Sequence, residues 1–142
     1  ADHLADAEAF CVAAHEILLD LHSMHANVAE FDSWMGVVHG TLGWISDKKT
    51  RHDEFATQLN AAIKFQRDAV EKRPRHRDYK ERLEGHRKFF VTQLVAAMER
   101  GYEPDVSDKR FSTVRDDPAI QDAIQRMQSP NLDAEERESV AK

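Results

Sequence analysis

Residues 10–45, FCVAAHEILLDLHSMHANVAEFDSWMGVVHGTLGWI, decide the fold. Phe10, Ala14, Ile17, Leu21, Met24, Val28, Phe31, Met35, Val38, Leu42 and Ile45 step 4, 3, 4, 3 without a slip. That is the a/d register of a heptad, the pattern of a helix packed lengthwise on other helices. It predicts one helix from Asp2 to Ser46, about 65 Å long at 1.5 Å per residue. Asp32 or Ser33 could cap a fresh helix, but the register passes through them intact, so continuity or a mild kink is expected.

The rest of the chain follows the same period. Ser46-Asp47-Lys48-Lys49-Thr50 ends the first element, and Thr50 with Asp53 or Glu54 opens the next. Helix two, 51–72, shows Phe55, Ala56, Leu59, Ala62, Ile63, Ala69 and Val70 on one face, and Pro74 stops it. Helix three opens at Asp78 with Glu81 in the capping-box position, and closes at Gly101 with Pro104 beyond. After a loop over 102–115, Asp117-Pro118 starts a short helix through Ala119, Ile120, Ala123, Ile124 and Met127. No strand alternation and no glycine-rich phosphate loop occurs. The expectation is an all-α chain: one domain over 1–128, a bundle of three long heptad-patterned helices plus a short C-terminal helix, followed by a polar, frayed tail at 129–142.

Composition narrows the function classes. With 142 residues, 41% hydrophobic and 32% charged, the chain can bury a core and is neither disordered nor repetitive. A net charge of −6 argues against a general nucleic-acid binder. No run reaches the ~18 apolar residues that a transmembrane helix needs. The single Cys11 excludes an internal disulfide, which slightly favours a reducing compartment for a soluble protein. There is no signal-peptide pattern, and Ala1 in place of Met leaves a processed form or a fragment open.

Charge is segregated. Residues 1–47 hold eight acids and no Lys or Arg, whereas 48–110 hold sixteen Lys+Arg against eleven acids. Complementary faces within one bundle account for this, or an acidic surface kept for a basic partner. The run Lys72-Arg73-Pro74-Arg75-His76-Arg77 is cationic but carries no aromatic stacking pattern, and reads as a solvated turn.

Two constellations stand out on helix one. Positions e and b of its heptad share a flank holding Glu8, Cys11, His15, His22, His25, Asp32 and His39. Cys11 with His15 and His22 with His25 have the i, i+4 and i, i+3 spacings that could share a transition metal or haem. No Glu-x-x-His accompanies them, and the plainer reading is a polar border bonded to the basic helices.

The second constellation is Trp34, Gly36, Gly40, Gly43 and Trp44. Its three glycines lie at i, i+4, i+7, on the face away from the a/d seam. Each costs a helix interior about 1 kcal/mol, which close approach of another helix would offset. A partner subunit or a further helix of the same chain would supply that approach. His39 lacks the Lys and small-residue context of a phosphotransfer histidine.

The long heptad helix with Trp34 resembles spectrin-type three-helix repeats in pattern only. The later helices are shorter than that repeat, and Pro74 interrupts its second helix, so no residue role carries over. No nucleophile–base constellation is legible, and an enzyme is the least supported class. The expectation is a non-enzymatic subunit or interaction module that docks a protein partner or a second copy through the Gly/Trp stripe, without a cofactor. The alternative is a metal- or haem-binding bundle using Cys11, His15, His22 and His25.

Overall fold

The computed structural model describes residues 2–128, so the tail expected at 129–142 lies outside the described residues. Five α-helices follow one another: α1 Asp2–Met24, α2 Ala29–Lys48, α3 His52–Lys72, α4 Arg77–Glu99 and α5 Pro118–Gln128, with a 3-10 turn at Lys109–Phe111 before the last. Among the described residues there is no strand, and no helix is long and apolar enough to cross a membrane.

The continuous first helix is the main correction. The chain breaks at His25–Val28, and the new N-cap, Val28, stands four residues before the nearer cap candidate, Asp32; the chain turns back there as a helical hairpin. The cause is local. Asn27 and the β-branched Val28 weaken the helix, and the Val28 and Phe31 amides donate to His25 and Val28 carbonyls in place of i−4 bonds. The heptad register survives across the turn, and its two halves have different fates. Met35, Val38 and Ile45 are buried in α2, whereas Phe10, Ile17 and Met24 of α1 remain 77%, 63% and 67% exposed.

The helix ends follow partly different chemistry from that expected. Gly101, at φ 106°, closes α4 with Tyr102 N–H bonded to Ala97 and Gly101 N–H to Met98, the Schellman pattern. Asp117 caps α5 through the Ala119 amide, with Pro118 in the first position. Thr50 is not a cap: it closes α2 in the left-handed region at φ 58°. Asp78 does not cap α4 either, because the N-cap is His76, and Glu81 is held by Arg77.

Successive long helices run antiparallel. Glu8 at the start of α1 meets Lys49 past the end of α2, and Tyr102 past the end of α4 reaches Asp53 at the start of α3. Hence α2 and α4 are parallel, joined by Arg82 on Ser33, His86 on Gly40 and Gln93 on Asp47. The main core lies between α3 (Phe55, Leu59, Ile63), α4 (Phe90, Leu94, Met98), Phe111, Val114 and α5 (Ile120, Ala123). The acidic hairpin packs on this basic half, with α2 as the central helix.

Candidate functional site

The glycine stripe lies inside the molecule, not on a free face. A Cβ at Gly36 would stand 2.6 Å from Gln66 Oε1 and 3.3 Å from the Ala62 carbonyl, one at Gly40 2.6 Å from His86, and one at Gly43 1.8 Å from Leu59 Cδ2. Gly36 and Gly43 therefore admit α3, and Gly40 admits α4. The sequence pattern requires a closely approaching helix, and this chain supplies two of its own. Only the tryptophans of the stripe stay outside. Trp34 and Trp44 are each 44% exposed, capped by Arg82 and Lys48 over their rings, and a shallow groove beside Trp44 runs past Val37 and Thr41 to Phe89 of α4.

The histidine flank also takes a specific form. His22 Nε2 lies 2.7 Å from Asp32 Oδ1, in a side chain fully withdrawn from water, and Lys72 of α3 donates to Asp32 Oδ2. Ser33, the next residue, accepts from Gln66 Nε2 at 2.9 Å and from Arg82 at 2.8 Å. Together these make a polar seam that crosses all four long helices. Beside it the rings of His15, His39, Phe65 and His22 form a chain of contacts at 4.9, 5.5 and 5.7 Å, and His39 Nδ1 is 2.7 Å from Gln58 Oε1.

The metal-ligand set expected from spacing is not assembled. His22 is turned to Asp32, His15 to His39, and the exposed His25 lies against Phe31. Burial pushes the Cys11 thiol up from its ordinary value. Among the described residues no group of three or more His, Cys, Asp or Glu side chains is placed to hold a metal. The flank does bond to the basic half, as Glu8 to Lys49 and Asp32 to Lys72.

Lys72, Gln66 and Arg82 complete this seam without being singled out by the spacing of the chain. One signal was available for Gln66. It lies three residues after Ile63 and seven after Leu59, on the apolar line of α3, where a polar side chain marks a buried network. No spacing rule could pair Asp32 with Lys72 across forty residues.

Two histidines within the bundle have depressed pKa values. Burial lowers that of His39, with a smaller contribution from His15 and partial compensation by Gln58; burial and then the Arg82 charge lower that of His86. Each binds its proton less readily folded than unfolded, so the stabilisation is complete above the unfolded value of 6.5 and is lost as pH falls through the folded values. Stability to urea should therefore fall between about pH 7.5 and about pH 5.5, by at most about 1.4 kcal/mol per pH unit for each histidine. His39→Gln with His86→Gln should flatten the profile; an equally steep profile in the double variant would refute the assignment.

Comparison with protein families, curated proteins and solved structures gives no match for this chain.

Proposed function

We propose that this chain is a non-enzymatic helical interaction module that docks a basic amphipathic helix along the outer side of its α1–α2 hairpin. The observation that carries the reading is the line Phe10, Ile17, Met24. These residues lie at i, i+7, i+14, and all are more than three-fifths exposed on a helix that packs on α2. An uncovered heptad line of large apolar side chains is a helix-docking feature.

Trp34 extends the same surface. At 100° per residue, Phe10, Ile17 and Met24 lie roughly opposite His15 and His22, the side of α1 turned to α3. Trp34 likewise points away from Gly36 and Gly43, which face α3, whereas Trp44 lies on the α4 side beside His86 and Phe89. The α1 line and Trp34 thus look out from one side of the hairpin.

Charge selects the occupant. The exposed face of α1 carries Asp6, Glu16 and Asp20, and no Lys or Arg occurs before Lys48. A second copy of α1 would oppose acid to acid, whereas a helix with Lys or Arg beside its apolar line would complement it.

The test uses two synthetic three-heptad peptides, with Leu at a and d and either Lys or Glu at e and g, read by tryptophan fluorescence alongside native mass by light scattering. The Lys peptide should bind a monomeric chain and the Glu peptide should not. Ile17→Asp, at a solvent-facing position, should weaken binding by about thirtyfold or more, the size of an interface hot spot. Equal binding of both peptides, or a dimer that Ile17→Asp dissociates, would overturn the choice of a basic helix.

A further inference from the structure

We infer that the cavity between the first turns of α2 and α4 is a binding site for a phosphate group. Because α2 and α4 run parallel, their N-termini open at the same end of the molecule. They meet there through Ala29 and Tyr79, buried together with Ala69. Neither helix has a side-chain cap: the N-caps are Val28 and His76, and no side chain accepts from the amides that follow. The amides of Ala29 and Glu30 in one helix, and of Arg77 and Asp78 in the other, belong to first turns that have no intrahelical acceptor. Two positive dipole ends side by side favour an anion.

The side chains point to the same ligand independently of the helix ends. Tyr79 lines this cavity of about 370 Å³ and is only 7% exposed, and among the described residues no group hydrogen-bonds its hydroxyl. The His76 ring lies face to face on it at 3.6 Å, with a buried Nδ1 that also has no partner. The Tyr79 hydroxyl is thus left without a protein partner beside the cavity, and an oxyanion there would accept from it.

The charge balance supports an oxyanion. Lys72 is already matched by Asp32, but Arg73 on the lining and Arg75 beside it have no ion-pair partner among the described residues. Glu30 also lines the cavity and subtracts from this field; its carboxylate accepts weakly from Trp34 Nε1 at 3.5 Å. The volume lies at the small end of the range for small-molecule pockets, about 300–1,000 Å³, enough for a phosphate with a compact organic group.

The experiment titrates the isotopically labelled chain with inorganic phosphate and, separately, with glycerol 2-phosphate, against chloride at matched ionic strength. The Ala29, Glu30, Arg77 and Asp78 amide resonances should shift and saturate with phosphate but not with chloride. Tyr79→Phe, which keeps the ring, and Arg73→Gln should each weaken binding by about tenfold, the size of one hydrogen bond to a charged group. Arg100→Gln, on the far end of α4, should leave binding unchanged. The two probes separate the sources: tighter binding of the ester assigns a phosphorylated small molecule, and its exclusion assigns free phosphate. Absence of saturation by either probe would overturn the inference, as would saturation that neither Tyr79→Phe nor Arg73→Gln weakens while both variants melt like the parent.

Discussion

Gly43→Leu should destabilise the chain by about 3 kcal/mol or more, a large share of the ~5–15 kcal/mol that holds an ordinary domain folded. Even the first added atom has no room, since a Cβ at Gly43 would stand 1.8 Å from Leu59 Cδ2, 3.3 Å from its Cγ and 3.4 Å from Gln58 Cβ. Leu59 is completely buried in the main core and cannot swing into water to make way. The three further carbons of leucine would push α3 off α2 along the contact that joins the acidic hairpin to the basic half. Removing glycine from a helix interior returns about 1 kcal/mol, which is less than overpacking costs.

The comparator is Gly85→Ala. Gly85 lies exposed within α4, and a Cβ there meets nothing within 4 Å. That substitution should gain about 0.5–1 kcal/mol through helix propensity alone. Urea unfolding followed by circular dichroism measures both. A Gly43→Leu variant as stable as the parent would mean that α2 and α3 do not approach as described.

How legible this architecture was in the sequence depends on the range of the interaction that sets each feature. Helical period, the Pro74 stop, the Gly101 closure and the Asp117-Pro118 start are local, and each has its counterpart in the structure. The break at His25–Val28 is not encoded as a lapse in the heptad. It follows from a weak helical run that the hairpin's tertiary contacts exploit, so a register argument passes straight over it. The glycine stripe shows the same division. Its cost correctly signalled a closely approaching helix, but helix spacing contains nothing that distinguishes a neighbour in the same chain from a neighbour in another. Trp34 and Trp44 could be placed on a helix beside the glycines from sequence. Which side of α2 remained open depended on where α3 and α4 landed.

The polar seam offers the sharpest energetic test. Lys72→Met keeps the length of the side chain and removes its charge, leaving the fully buried Asp32 with His22 as its remaining partner. Stripping one partner from a buried ion pair costs about 3–5 kcal/mol in well-enclosed cases. Lys72 is 31% exposed and His22 26%, so water can reach the outer edge of this cluster, and a loss of about 2–3 kcal/mol is expected here. The Ala26 carbonyl loses its donor as well, in an exposed turn where water can replace it.

Asp32→Leu on its own should also destabilise, because it deprives Lys72 and His22 of their acceptor. The two substitutions combined should cost less than the sum of the single losses, since no buried charge is then left unmatched. A coupling of about 1.5 kcal/mol or more in the double-mutant cycle would show that Asp32 and Lys72 tie the acidic hairpin to α3 as an ion pair. Additive losses would mean that each residue acts through packing alone, and that the charge segregation along this chain is not what orients its two halves.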